Sequence, residues 1–420
     1  MLEKLYTRWM YAWETALTTR DENRVVRPVE WGFEWLDDFI ESAGLRRQIF
    51  GTRDASTLEG HDAQEAMIVL NEAVVRNSDA FYSYARPTDF ELEERHPQLF
   101  PTNVRPETLK RDAEIKQKAA KGMIKTAQFL RFTSPVRTPY PENDLVNARW
   151  YPAPEEKMAG KPKRAMIVMP QWNADAFSHN ALCSLFNRFG ISALRLSKPY
   201  HDIRRPAELE RSDYAVSSNI GRTISACRQA VIDIRCCLDW LEEQGYEQFG
   251  ILGTSLGSCY AFIASAHDPR IRVNAFNHAS TSFGDVVWTG QSTRHIRQAF
   301  EEAGLTQLLL RDLFGSTSPV NYMQRFATHA KKVLVVHAKY DLTFLPEYSL
   351  RVLKSFSDCG IDYVSKVLPC GHYTTGETPY KFIDGWYLGS FVYGAFRGLT
   401  GNPPVAAQDE DSRLMAHSAE

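Results

Sequence analysis

Several features that would place this chain in a specialised class of protein are missing from its sequence. No run of about 18 apolar residues occurs, which is the length a helix needs to cross a bilayer, so no membrane span is predicted. The opening Met1-Leu2-Glu3-Lys4-Leu5 carries charges too early for a secretory signal peptide. We therefore expect a cytoplasmic protein.

An excess of one charge and a cysteine framework are missing as well. The 49 basic and 51 acidic residues leave a net charge of −2, whereas a dedicated nucleic-acid binder would show a basic excess. The seven cysteines are odd in number and form neither a CxxC pair nor a Cys/His array. We expect buried free thiols in a reducing compartment, with no metal site and no nucleic-acid partner.

The first part of the chain, residues 1–123, is predicted to be a helical region. Apolar residues from Leu2 to Leu17 recur at helical spacing and form a wide stripe. Packing on the protein's own core is the favoured interpretation of that stripe, and a homodimer contact is the alternative. Prolines across 86–106 indicate an extended connection, and a polar helix is expected over 107–122.

The pattern changes near residue 124, where strands begin to alternate with helices. Strands are predicted at 124–132, 147–151, 165–169, 192–196, 249–252, 273–277, 333–337 and 363–368. Helices are predicted at about 177–188, 218–244, 256–267, 346–358 and 380–397. This alternation indicates an α/β domain over 124–400 with a mostly parallel sheet and helices on both faces. Residues 283–330 form a helical insertion that we interpret as a lid, and the polar tail 401–420 is expected to be disordered.

One motif in the sequence indicates a reactive serine. Gly253-Thr254-Ser255-Leu256-Gly257 matches G-x-S-x-G and lies between an apolar strand and a small, apolar helix. Such a turn from strand to helix leaves no room for side chains two residues before and after the serine, so both positions are glycine. The serine hydroxyl is lifted above the sheet, where it can act as a nucleophile.

A serine hydroxyl needs a base to take its proton, and histidine has a suitable pKa. Of the histidines after Ser255, His372 lies directly after the last predicted strand, in a loop marked by Pro369 and Gly371. Asp341 follows the preceding strand by four residues and can orient that histidine. We interpret His267 as a surface cap and His278 as a core or supporting group.

The developing oxyanion needs two N–H donors. One is expected from the backbone of Leu256, which follows the nucleophile. The other is expected from the loop after strand 165–169, where Trp172 is favoured and Gln171 is the second choice. Gln171, Tyr200 and Tyr373 are also the candidates for contact with substrate, although aromatic residues in this region fit a core equally well.

The sharp turn from strand to helix at Ser255 is called the elbow below. Together, this elbow, the Asp341 loop and the His372 loop resemble the α/β-hydrolase superfamily over roughly 124–400. The segment 198–206, Lys-Pro-Tyr-His-Asp-Ile-Arg-Arg-Pro, resembles dienelactone-hydrolase-like and prolyl-oligopeptidase-like members, and the chain is also similar to bacterial relatives of the abhydrolase-domain 18 group. The resemblance implies an eight-stranded, mainly parallel sheet and no cofactor. Pro170-Gln171 departs from the His-Gly that many members carry, which puts the second oxyanion donor in doubt.

These observations predict a serine hydrolase that acts on a small-molecule substrate, a carboxylic ester of small or medium size. A peptidase or an acyltransferase with the same triad is the alternative, and a non-catalytic hydrolase-like binding protein is the third. A basic stretch comprising Arg204, Arg205, Arg211 and Arg222 could bind an acidic group of the substrate, but a solvated or salt-bridged face is favoured. Substrate identity does not follow from fold.

Overall fold

A single mixed β-sheet forms the centre of the computed structural model, which describes residues 2–399. Within these residues the sheet has nine strands in the order β1-β2-β3-β5-β4-β6-β7-β8-β9. The strands are β1 Glu91–Arg95, β2 Ala127–Thr133, β3 Leu145–Tyr151, β4 Arg164–Met169, β5 Ile191–Ser197, β6 Gln248–Thr254, β7 Ile271–Asn277, β8 Lys332–Ala338 and β9 Tyr363–Leu368. The tail 401–420, for which we predict disorder, lies outside the described residues.

The strands change direction part-way across the sheet. β1, β2, β3 and β5 pair antiparallel, whereas β5, β4, β6, β7, β8 and β9 pair parallel. In the parallel part every residue of β5 and β6 is buried, as expected for strands covered on both faces. The carboxyl ends of the parallel strands therefore meet at one edge of the sheet, where loops of distant sequence come together.

Strand β1 is one more than the eight strands expected, and it lies in the stretch 86–106 that we predicted to be an extended connection. Its sequence Glu-Leu-Glu-Glu-Arg has a single apolar residue, Leu92, which is 41% exposed. An edge strand needs neither a buried face nor apolar alternation, and charged residues protect such an edge from pairing with other chains. The strand is held by antiparallel pairing with β2 and by Arg95, whose guanidinium lies 3.7 Å from the ring centre of Phe129.

Helices cover both faces of the sheet, as predicted. In the first half of the chain they are α1 Leu2–Thr19, α2 Asp37–Ser42, α3 Arg46–Phe50, α4 Gly60–Arg76, α5 Ser78–Phe81, α6 Pro106–Ala120, α7 Pro141–Asp144, α8 Glu155–Met158 and α9 Asn180–Arg188. In the second half they are α10 Ile220–Glu243, α11 Leu256–His267, α12 Phe283–Thr289, α13 Arg294–Glu302, α14 Gln307–Leu313, α15 Met323–Ala327, α16 Pro346–Asp358 and α17 Tyr380–Arg397. None of the helices formed by residues 2–399 combines the length and apolar character that crossing a bilayer requires.

Two apolar cores lie on opposite faces of the sheet. On one face α1, α9 and α17 pack on alternate strand residues, represented by Met10, Phe186 and Val392. On the other face α10, α11 and α16 share a larger core with α2 to α5 and with the 283–330 insertion. The N-terminal region thus contributes α1 to one face and α2 to α5 to the other.

The segment between α1 and α2 follows the edge of the sheet where the parallel strands end. The guanidinium of Arg24 donates to the carbonyl of Ser292, and Glu30 forms an isolated parallel bridge with Asn219. These contacts join the N-terminal region to the 283–330 insertion and to the start of α10.

His267, which we interpreted as a surface cap, is in fact buried. Its Nδ1 lies 2.8 Å from the carbonyl oxygen of Ile263, and its ring packs against Tyr82 and Tyr322. The sequence offered no sign of this burial because Tyr82 comes from the distant helical region that covers α11.

Candidate active site

Ser255 occupies a sharp turn between β6 and α11. Its backbone has φ 57° and ψ −121°, a conformation that side-chain-bearing residues rarely adopt. A side chain at Gly253 would overlap the carbonyl of Gly257, and one at Gly257 would overlap the carbonyl of Met169. Glycine is therefore required at both positions, and the serine hydroxyl is presented at the N-terminus of α11.

His372 and Asp341 complete a hydrogen-bonded chain with Ser255. The His372 Nε2 lies 3.0 Å from the Ser255 Oγ, and the His372 Nδ1 lies 2.9 Å from the Asp341 Oδ2. A carboxylate only accepts hydrogen bonds, so the proton belongs on Nδ1 and leaves Nε2 free to accept the serine proton. The three residues follow β6, β8 and β9, whose carboxyl ends lie at the same edge of the sheet.

Asp341 is held by four donors. Its Oδ1 accepts the N–H groups of Thr343 and Phe344, each at 2.7 Å, and its Oδ2 also accepts the Nδ1 proton of His278 at 3.1 Å. Burial alone raises the pKa of Asp341, but the charge of His372 and the two histidine hydrogen bonds shift that pKa well below its usual range. The group is therefore a fixed anion beneath His372.

The two histidines on Asp341 have opposite pKa shifts. Burial lowers the pKa of His372, but the charge of Asp341 and its hydrogen bond outweigh burial, so the net pKa is raised. Burial and the neighbouring His372 lower the pKa of His278. His278 thus stays neutral and donates to Asp341, while His372 is the ring that can take up a proton.

A second arrangement of these side chains has to be considered, because the ligand atoms of His278, Asp341 and His372 lie within 4.8 Å of one another, close enough to hold a metal ion. Both Nδ1 atoms already face the same Asp341 Oδ2 at hydrogen-bond distance. A cation there would displace the proton that orients His372 toward Ser255. The donor set therefore fits an orienting network better than a metal site.

The loop expected to donate to the oxyanion is fixed on both sides of Trp172. Lys198 Nζ donates to the carbonyl of Gln171 at 2.9 Å, and the N–H of Asn173 donates to His201 Nε2 at 3.2 Å. No hydrogen bond within residues 2–399 uses the backbone N–H of Trp172 or of Leu256. Both groups are therefore available as donors, and Lys198 and His201 support the loop in a way that the sequence analysis did not detect.

A narrow cavity of about 50 Å³ lies beside Ser255. Its walls are mainly apolar and come from several elements. They include Trp172, Val216, Leu256, Cys259, Phe283, Val286, Val287, Pro319 and Phe344. The 283–330 insertion supplies much of this wall, so that segment shapes the space around the serine.

Of the residues suggested for substrate contact, the structure brings none into this cavity. Tyr200 is fully buried, and its ring lies 6.2 Å and 5.7 Å from those of Tyr140 and Tyr214. Gln171 and Tyr373 are the chain neighbours of Trp172 and His372, and neither lines the cavity itself. The spacing of the predicted strands along the sequence located these loops, but it gave no information on the direction in which each side chain points.

The arginines of the basic stretch contact other parts of the chain, in line with the salt-bridged face that the sequence analysis favoured over binding of an acidic substrate group. Arg204 and Asp233 form a fully buried ion pair at 2.8 Å, and Arg211 Nε lies 3.2 Å from Asp213 Oδ1. The guanidinium of Arg222 stacks 3.8 Å above the ring centre of Tyr214. These arginines therefore hold the 198–222 segment in place.

A further residue of the site was missed by the sequence analysis. Glu14 of α1 is fully buried against the loop that carries His372. In the sequence Glu14 is only one of several charged residues of the first predicted helix, and no local pattern marks it as part of the site.

Comparison with known proteins identifies the fold. No protein-family model and no curated protein matches the sequence. Acetyl xylan esterase 1 from Thermoanaerobacterium sp. JW/SL YS485 is similar in structure, with a TM-score of 0.51 and 15% identity over 77% of this chain and 93% of that protein. The acetyl xylan esterase from Paenibacillus sp. R4 has a TM-score of 0.50 and 11% identity over 77% and 92%.

The acylaminoacyl peptidase of Pyrococcus horikoshii is also similar, with a TM-score of 0.49 and 13% identity over 69% of this chain. The match spans only 44% of that longer protein. At such identities a structural likeness shows the fold alone. The chain has the α/β-hydrolase fold, which confirms the fold class predicted from its sequence. The finer placement near the dienelactone-hydrolase-like and abhydrolase-domain 18 groups stays a prediction.

Proposed function

We propose that this protein is a serine hydrolase that cleaves carboxylic esters of small or medium size. The observation that supports this most strongly is the hydrogen-bonded chain from Ser255 through His372 to Asp341. The geometry matches the requirement that the base lies within hydrogen-bond distance of the nucleophile on one side and of the orienting acid on the other.

In the first half of the reaction, Ser255 Oγ attacks the ester carbonyl carbon while its proton passes to His372 Nε2. The carbonyl oxygen becomes an oxyanion, which accepts hydrogen bonds from the N–H groups of Leu256 and Trp172. The intermediate then collapses with cleavage of the bond to the alcohol oxygen. His372 gives its proton to that oxygen, the alcohol leaves, and the acyl group remains on Ser255.

In the second half, water replaces the alcohol. His372 takes a proton from water, the resulting hydroxide adds to the acyl carbon, and the same two N–H groups hold the new oxyanion. The bond to Ser255 breaks, the serine oxygen regains its proton from His372, and the carboxylic acid departs. Asp341 stabilises the imidazolium in both halves.

The cavity sets the size of the acyl group. Its volume of about 50 Å³ is enough for a few water-sized groups, and its walls are apolar. A short acyl chain therefore fits with the least rearrangement. We propose that 283–330 acts as the lid of a catalytic domain spanning 124–400, because residues such as Phe283 and Val287 form part of this wall.

The test is hydrolysis of p-nitrophenyl acetate, butyrate and octanoate by wild type, Ser255→Ala and Ser184→Ala. Ser184 is an exposed serine of α9 and serves as the matched control. We expect Ser255→Ala to lose about 10⁴-fold or more in kcat, the scale seen when a nucleophile is removed. Ser184→Ala should match wild type, and acetate should be preferred to octanoate.

Labelling with a fluorophosphonate separates the remaining outcomes. Labelling of Ser255 without turnover of any of the three esters would keep the nucleophile and reject the ester. A peptidase or an acyltransferase would then be the better assignment. Absence of both turnover and labelling would favour a binding protein.

A further inference from the structure

One face of α1 contacts the loop 369–375, which carries His372. The hydroxyl of Tyr6 donates to the carbonyl of Pro369, and the sulfur of Met10 lies 3.5 Å from the hydroxyl of Thr374. Glu14 reaches the same loop one turn further along. Residues 6, 10 and 14 are four apart, which places their side chains in a row along one side of the helix.

Glu14 accepts three hydrogen bonds from that loop. Its Oε1 accepts the N–H of Tyr373 at 2.8 Å, and its Oε2 accepts the N–H and the hydroxyl of Thr374, both at 3.0 Å. The Thr374 hydroxyl oxygen in turn accepts the N–H of Gly371 at 2.6 Å. The backbone is thus fixed on both sides of His372.

The fit between Glu14 and the loop leaves no space for another side chain. A Cβ at position 371 would lie 2.7 Å from the Glu14 Cγ and would overlap its carboxyl group. This close approach accounts for Gly371. A fully buried carboxylate is costly without donors, and all three partners here are donors, which offsets part of that cost.

Glu14 and His372 belong to a cluster of ionisable groups from α1 and from the loops after β7, β8 and β9. They are Glu14 on α1, His278 after β7, Asp341 after β8, and Cys370 with His372 after β9. Burial raises the pKa of Glu14, while the N–H groups of Tyr373 and Thr374 lower it, and the net shift is upward. The charge of Glu14 adds to that of Asp341 in raising the pKa of His372.

We propose that Glu14 is a positioning residue of the active site: it fixes the loop that presents His372 to Ser255, and its charge stabilises the imidazolium formed during acyl transfer. This inference rests on the proposed function, in which His372 is the base. It also assigns a role to α1, without which the base loop would lose the three hydrogen bonds that it donates to Glu14 and the one that it accepts from Tyr6.

The test compares Glu14→Gln with Glu3→Gln, which changes an exposed glutamate of the same helix. Glutamine keeps the size of the side chain but loses its charge and some of its acceptor capacity. We expect Glu14→Gln to lower kcat about tenfold to a hundredfold, the scale of a misplaced catalytic group. KM should stay within about twofold because Glu14 does not line the cavity.

The pH profile gives a readout that a purely structural role would not move. Removing a negative charge destabilises the His372 imidazolium and lowers its pKa, so the acid limb of kcat/KM should shift to lower pH in Glu14→Gln alone. A lower kcat with the acid limb unmoved, or a profile equal to wild type, would overturn the proposal.

Two further measurements keep the outcome decisive. If Glu14→Gln does not fold, Thr374→Val removes one of the three donors, together with the acceptor for the Gly371 N–H, while keeping the charge. A fall in its kcat at unchanged KM supports the proposal, and a wild-type kcat overturns it.

If the wild type hydrolyses no ester, the proposed function fails, and Glu14 is tested by NMR titration of His372. The His372 signal is assigned with the variant His372→Asn. A lower pKa in Glu14→Gln supports its role, and an equal pKa overturns it.

Discussion

At the scale of single residues, the site separates the protonation behaviour of two histidines that share one carboxylate. Asp341 accepts a hydrogen bond from both rings, yet the pKa of His372 is raised and that of His278 is lowered. The difference arises because His278 is buried next to a second ring that charges first. One proton can therefore be taken up at the site, and it goes to the ring facing Ser255.

The upward shift of the His372 pKa predicts the pH dependence of the proposed reaction. A base must be neutral to accept the serine proton, so activity is present above the His372 pKa and is lost as the pH falls through it. Because that pKa is raised above the ordinary histidine value of about 6.5, the acid limb of kcat/KM should lie above about pH 6.5. An acid limb below that value would contradict the assignment of His372 as the base paired with Asp341.

At the scale of elements, the turn between β6 and α11 packs directly against the loop after β4. Gly257 lies so close to this loop that its absent Cβ would overlap the carbonyl of Met169 and lie 2.7 Å from that of Pro170. The same loop continues into Trp172, whose N–H we assign to the oxyanion. The elbow and the oxyanion loop are therefore one packed unit.

Gly257→Ala should for this reason impair both stability and activity. The added methyl meets backbone atoms, which cannot rotate away, so we expect a loss of about 1–3 kcal/mol or more in the free energy of unfolding. Gly385→Ala in α17 is the control, since nothing lies within 4 Å of its added methyl and alanine favours a helix by up to about 1 kcal/mol. Urea unfolding and ester hydrolysis measure both effects. Equal stability of the two variants would show that the elbow relaxes freely.

At the scale of the whole molecule, buried ion pairs connect segments that are far apart in sequence. Arg204, which follows β5, pairs with Asp233 in the middle of α10, and both side chains are completely buried. Arg204 also donates to the carbonyls of Asn143 and Ser197, and Asp233 accepts from Ser134. This network fixes the antiparallel part of the sheet to the longest helix.

Arg204→Met should destabilise the fold strongly because it leaves Asp233 as a buried charge without its partner. Removing one member of such a pair costs about 3–5 kcal/mol. Lys354→Met, in a pair with Asp358 whose side chains are both more than half exposed, should change the free energy of unfolding by about 1 kcal/mol or less. Denaturant unfolding measures both. A loss for Arg204→Met as small as that of the control would mean that Asp233 is hydrated or takes up a proton once its partner is gone, since burial raises its pKa.

The sequence by itself determined the features that depend on local pattern. Alternation of apolar strands and amphipathic helices predicted the α/β class, and G-x-S-x-G predicted the turn at Ser255. Asp341 and His372 could be selected because parallel strands end at one edge, so residues just after β8 and β9 must lie near the elbow.

Only the tertiary structure decided which distant side chains meet. Glu14 lies 359 residues before its partner Tyr373, and no local pattern links the two. Strand β1 has no apolar alternation, since it lies at an edge and is defined by its pairing with β2. The burial of Tyr200 and Arg204 likewise depends on what packs over them. Periodicity reports the face that a residue presents, whereas contacts between faces are set by the packing of the whole chain.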